Sequence, residues 1–213
     1  MRNTVLATAL TVVVGAVGAT GYVLGRGSSR PATVAGGRYK VMTPPSILGG
    51  TFIASPYIRL RITNADIKGY LADGVRNPQA VGAHYQSTTD AEGYVQILGV
   101  WGTIDDPEQA VDRDFATLSR SATARESGTF VGDPKRVSPR GLGDAVMKCQ
   151  MYTTGTASHP GSGSADPYCI WADHDTLGEV IRSDYATGAA HVTLDQDADT
   201  AAKVRADTRA RAR

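Results

Sequence analysis

Two cysteines, Cys149 and Cys169, stand twenty positions apart in this 213-residue chain, each inside a short apolar run. Ala145 to Met151 (AVMKCQM) and Pro167 to Ala172 (PYCIWA) read as β-strands. The Gly-, Ser- and Pro-rich stretch from Thr153 to Asp166 between them reads as an exposed loop. A bond between the cysteines would join the two strands, and its constraint on the unfolded chain is worth about 3 kcal/mol. A metal pair or a catalytic thiol would need C-x-x-C spacing or a nearby histidine ligand pattern, and neither is present. The expectation is therefore a Cys149 to Cys169 disulfide, with two reduced, buried cysteines as the alternative.

Strand alternation puts Cys169, Trp171 and Asp173 on one face. Asp173-His174-Asp175-Thr176 then supplies turn formers, and Leu177 to Ser183 resumes as a strand, closing a hairpin. The same turn holds the best candidates for chemistry. An imidazole between carboxylates tends to a raised pKa, so His174 with Asp173 and Asp175 could act as a general base or metal ligand. Hydrolysis would further require a nucleophile and oxyanion donors. The simpler reading is a polar turn whose aspartates accept backbone N–H groups. No GxSxG, P-loop, dinucleotide-binding glycine pattern or HExxH occurs. Asp195, Asp197 and Asp199 alternate like the start of a calcium loop, but Thr200 replaces its glycine and Ala206 its closing glutamate. No metal or cofactor is implied.

Earlier in the chain, Tyr39 to Gly50 is broken by Pro44-Pro45 and Gly49-Gly50. Ile58, Leu60 and Ile62 alternate with Arg59, Arg61 and Thr63, which predicts a strand over Tyr57 to Thr63 with its arginines in solvent. A short helix follows from an Asn64 cap to Ala72, with Ile67, Tyr70 and Leu71 inward and Gly74 ending it. After the turn residues Asn77-Pro78, Ala80 to Gln86 and Tyr94 to Trp101 predict a hairpin whose mostly apolar second strand is central. Asp106-Pro107-Glu108-Gln109 opens a helix, and Val111, Phe115, Leu118 and Ala122 form its inner stripe. Asp112, Arg113 and Asp114 read as flanking, solvated charges. Ser127 to Gly143 reads as loop. Gly188 to Thr193 predicts a last strand, followed by a helix from about Asp195 with a thin apolar face and a fraying end.

Val5 to Leu24 contains no charged residue, long enough for a helix to cross a bilayer. Residues 1–25 are read as a membrane anchor, with a signal peptide cut near Val17-Gly18-Ala19 as the alternative. Residues 26–38 form a flexible basic linker and 39–213 one domain. Of 22 basic residues, the seven preceding Asp66 leave 15 against 21 acidic ones, a net of −6 for the remainder. That balance argues against nucleic acid, whose backbone selects concentrated Lys and Arg. Arg26, Arg30, Arg38 and Lys40 favour a cytoplasmic C-terminal side by the positive-inside rule, whereas the cysteine pair favours an oxidising compartment outside.

Gly141-Leu142-Gly143 to Cys149, then Cys169-x-Trp171-x-Asp173-x-x-Thr176-x-Gly178, resembles the second half of uncharacterised actinobacterial single-pass or secreted envelope proteins. The resemblance implies an envelope location and a Cys149 to Cys169 bridge; it supplies no reaction, cofactor or catalytic residue. The expected fold is α+β, an antiparallel sheet packed by two or three helices behind one N-terminal transmembrane helix. The expected function is a non-catalytic binding or structural envelope module. It would contact the bilayer through Val5 to Leu24 and a protein or cell-wall component through its domain. The alternatives are a hydrolase using His174 with Asp173 or Asp175, and a cytoplasmic regulatory domain.

Overall fold

Alternation with period two in six long segments builds one antiparallel sheet, apolar enough on both faces to be covered on both sides. A computed structural model of the protein describes residues 38–58, 60–90, 93–125, 128–154, 165–183 and 193–212. The elements in order are β1 (Tyr39–Val41), β2 (Ser46–Ile47), a short 3-10 turn, β3 (Phe52–Ala54), α1 (Asn64–Asp73), β4 (Val75–Ser87) and β5 (Tyr94–Ile104). They continue with α2 (Pro107–Arg125), β6 (Gly128–Val137), β7 (Val146–Thr154), β8 (Ala165–Ala172), β9 (Thr176–Ser183), α3 (Leu194–Thr208) and β10 (Arg209–Arg211). Eight strands form one sheet in the order β2-β3-β4-β5-β9-β8-β7-β6, and β1 pairs with β10 in a separate ribbon. The α+β architecture and the three helices match the sequence expectation.

Each long strand sends alternate residues to two different cores. Val95 and Ile97 of β5, Cys169 and Trp171 of β8 and Val180 of β9 meet Ala198, Ala201 and Val204 of α3. Val100, Ile170 and Leu177 face the other way, against Tyr70 of α1 and Val111 and Phe115 of α2. The central position expected for β5 is observed, since it lies between β4 and β9. Cys149 and Cys169 are bonded and directly opposite each other in the β7–β8 register, with Cα atoms 4.1 Å apart. Trp171 shares their core, as alternation required. It lies across Gly178 of the next strand, where any Cβ would collide with the indole.

The helix starts are where the side chains specify them. Asp106 Oδ1 accepts the Gln109 N–H at 3.0 Å ahead of α2. The α1 cap is Thr63 rather than Asn64, in a capping box with Asp66, and Gly74 at φ 103° ends the helix. Leu71, expected inward, is exposed, and the inward groups on that turn are Tyr70 and Asp73.

Four expectations are corrected. The described residues between Tyr57 and Thr63 form no strand. Instead Leu60 and Ile62 lie over Gly82 of β4, so their apolar side chains cover the sheet face without pairing along it. Asn77 and Pro78 do not turn the chain but sit inside β4 at a bulge between Arg76 and Gln79, with Asn77 at φ 53°. Residues 128–137, read as loop for their Gly and Pro, are the edge strand β6; its register shifts between Val131 and Lys135, which accommodates Gly132 and Pro134. The end of α3 does not fray, because Arg205 is buried and β10 continues into the ribbon with β1.

Val5 to Leu24, the linker up to residue 37 and the centre of the loop between β7 and β8 lie outside the described residues. The strand expected over Gly188 to Thr193 also falls there, except Thr193, which caps α3. Among the described residues, no helix is long and apolar enough to cross a membrane.

Candidate functional site

The turn at Asp173 is built as a structural joint. Asp173 is buried, and its Oδ1 accepts the backbone N–H groups of Asp175 and Thr176 at 2.9 and 2.8 Å. Its Oδ2 accepts from Thr176 Oγ1 at 2.9 Å and from Arg205 Nη2 at 2.7 Å, with Arg209 Nε 3.1 Å away. Burial pushes this carboxyl up, but the turn amides and the two guanidinium groups outweigh it and hold it below the ordinary aspartate value. His174 is exposed, with Nδ1 2.9 Å from the Ile104 carbonyl oxygen, and Asp175 Oδ2 accepts the Tyr39 N–H at 3.2 Å. Among the described residues no hydrogen bond joins His174 to either aspartate, so the three neighbours are committed to three separate partners. The arrangement ties the β8–β9 turn to β5, β1 and α3.

The chemistry that stays uncommitted is on the opposite face of β9. Glu179 pairs in register with Leu98 of β5 and Ile170 of β8, which sets its carboxyl at the middle of the sheet under α1 and α2. It is 3% exposed. Tyr70 of α1 donates to Oε1 at 2.9 Å and Tyr168 of β8 donates to Oε2 at 2.6 Å. The further acids buried on this side include Asp114 of α2 and Asp73 at the end of α1. Asp73 accepts from Thr117 Oγ1 at 3.1 Å, whereas Asp114 Oδ2 has no hydrogen-bond partner among the described residues.

Burial raises all three acids; for Asp73 the Thr117 hydroxyl, Arg120 and Arg113 oppose the rise. Burial pushes Glu179 up from 4.5 to about 7; the two tyrosine hydroxyls resist the rise and the charges of Asp73 and Asp66 add to it. Asp114 is held well above the ordinary aspartate range by burial first, then by Glu179 and Asp73. Both tyrosines are pushed upward, by burial and then by Glu179, so their hydroxyls remain proton donors. An unpaired ionised carboxylate is expensive to bury, and neutralisation is the usual escape.

Glu179 also lines a cavity of about 330 Å³ between α2 and the sheet. Leu98, Leu118, Ala122 and Ile181 make its aliphatic side, with the polar groups of Gln96 and Ser121 at its margin. Phe130, Tyr152 and Tyr168 make an aromatic wall. Their rings meet at steep angles, with centroids 5.0 Å apart for Phe130–Tyr152, 5.6 Å for Phe130–Tyr168 and 6.4 Å for Tyr152–Tyr168. The volume falls at the lower end of the range for small-molecule sites, and the mixture of apolar wall and one placed acid is typical of them. Among the described residues, no group of three or more His, Cys, Asp or Glu side chains could hold a metal ion.

Sequence reasoning missed this site, although two signals were present. Asp114 lies three residues after Val111 and one before Phe115, which puts it on the inner stripe of α2 rather than beside it. Glu179 interrupts an otherwise apolar strand at a position that shares a face with Leu177 and Ile181. Each is an acid at a core position. No protein-family model and no curated protein sequence matches this chain.

Proposed function

We propose that this chain is a membrane-tethered, extracytoplasmic binding module without catalytic activity, and that its recognition site is the cavity floored by Glu179. The observation that carries the reading is a pocket of about 330 Å³ in which, among the described residues, one carboxyl is buried and no basic group joins the lining. A buried acid lacking a counter-charge lowers stability, so the position of Glu179 at a cavity fits a role in recognition better than one in architecture. The Cys149–Cys169 bridge supports an oxidising compartment, and the uncharged run from Val5 to Leu24 supports a tether. The occupant is a small molecule, or one side group of a cell-wall component or protein.

A hydrolase built on His174 gains no support from a turn in which Asp173 is saturated by Arg205, Arg209 and backbone amides. The test is a thermal-shift screen of small polar and amphiphilic compounds on the full chain and on Ser121→Trp, which fills the cavity. Binding that raises Tm in the parent and disappears in Ser121→Trp is the expected result. Compounds that stabilise both proteins equally, or a turnover abolished by His174→Ala in a folded chain, would contradict the proposal. Lysing cells in denaturant with an alkylating reagent tests the location: Cys149 and Cys169, buried and bonded, should escape alkylation unless reduced first.

A further inference from the structure

We propose that the cavity is selective for an organic cation, a protonated amine on an apolar or aromatic body, with its ammonium at Glu179 and its body against Phe130, Tyr152 and the aliphatic wall. This inference rests on the reading of the cavity as the recognition site and adds the chemistry of the ligand.

Three features lead to it. The first is hydrogen-bonding capacity. A carboxylate accepts about four hydrogen bonds, and Glu179 receives one tyrosine hydroxyl on each oxygen. Each oxygen can still accept an N–H, which an ammonium supplies and an ether, ester or carboxylate does not. The second is charge. Among the described residues the lining includes Glu179 but no lysine, arginine or histidine, and Asp114 and Asp73 are buried on the same side of the sheet. An anion brought there would meet the charge of Glu179 at the site itself, and a neutral ligand would leave that carboxylate without a counter-ion among the described lining residues. The third is the wall. Aromatic faces attract cations through the ring quadrupole, more strongly when the site is shielded from water, and three rings border this cavity. The cavity is too small for a large ligand, which favours a compact amine or the amino end of a longer molecule.

The experiment uses the full chain in neutral detergent with labelled Ile and Leu methyl groups. The methyl signals of Leu98, Leu118 and Ile181 report on the cavity wall. Three probes of one shape are titrated: 2-phenylethylammonium, 2-phenylethanol and phenylacetate. The expected result is saturable movement of those methyl signals by the ammonium, at an affinity about tenfold or more above that of the alcohol, with no response to phenylacetate. In Glu179→Gln the preference for the ammonium over the alcohol should vanish while the alcohol's own affinity changes little. The comparison of the two probes in the parent chain stands even if that variant folds poorly. Equal binding of ammonium and alcohol, both lost in Ser121→Trp, would overturn the cation assignment and leave the cavity as the recognition site. Absence of any methyl response to all three probes would overturn the cation assignment and the cavity reading together.

Discussion

Asp173 precedes β9 and Glu179 lies within it, six positions later, and the two are buried on opposite sides of the sheet with opposite consequences. Asp173 is met by two backbone N–H groups, a threonine hydroxyl and two arginines. Glu179 is met by two tyrosine hydroxyls and has other buried acids, Asp114 and Asp73 among them, on its side of the sheet. On the α3 side Asp173 is paired with two guanidinium groups, and the disulfide and Trp171 lie in that core. On the α1–α2 side burial and acidic neighbours outweigh the hydrogen bonds, and a cavity opens there. Full compensation identifies the part of the molecule that holds the fold together. Incomplete compensation identifies the part that has been kept at a cost in stability.

The comparison can be broken most forcefully at Arg205. Replacing it with Met leaves a buried carboxylate short of its closest cation, and loss of one partner of a buried pair costs about 3–5 kcal/mol. Denaturant unfolding of Arg205→Met measures this; a loss below about 1 kcal/mol would show that the joint is not a main stabiliser. Reduction of the Cys149–Cys169 bond should cost about 3 kcal/mol in the same assay. Glu179→Gln should move stability the other way, raising it at pH 8 by on the order of 1–3 kcal/mol, because it removes an acid whose ionisation the fold opposes. The smallest effect is expected for His174→Ala, below about 1 kcal/mol, since it forfeits one hydrogen bond of an exposed ring.

The two acids also divide the pH axis. Asp173 titrates lower in the folded chain than its ordinary 3.8, so the stability it contributes is complete above that value and is lost as pH falls through its folded pKa. Glu179 titrates higher when folded, so the folded state binds its proton more tightly than the unfolded chain does. Stability is therefore greatest with Glu179 protonated and declines as pH rises from 4.5 to about 7. Thermal melts across this window should show the decline in the parent and its absence in Glu179→Gln.

The stabilised side was largely legible in the sequence, and the other side was not, for identifiable reasons. Cys149, Cys169 and Trp171 lie in strands whose alternation places them without knowledge of their neighbours. Asp106 and Pro107 specify a helix start from local chemistry alone. The turn at Asp173 was readable as a turn, but its arginine partners come from α3 and β10, more than thirty positions later. Tyr57 to Thr63 has the period of a strand yet covers the sheet, because alternation describes which side chains are apolar and not which backbone is available for pairing. β6 was hidden by Gly132 and Pro134, which an edge strand tolerates at a bulge. Glu179, Tyr70, Asp114 and Phe130 come from four separate elements, and their convergence depends on strand order, which no local pattern encodes.

The account depends on Glu179 being an acid that the folded protein disfavours in its charged form. Its side-chain carboxyl carbon can be followed by NMR in glutamate-labelled protein from pH 4 to pH 9, with the signal assigned by its absence in Glu179→Gln. The account predicts a midpoint displaced to about 7 in the ligand-free chain. A midpoint at or below the ordinary 4.5 would contradict it, because the carboxylate would then be stabilised in place and the two sides of the sheet would treat their buried acids alike.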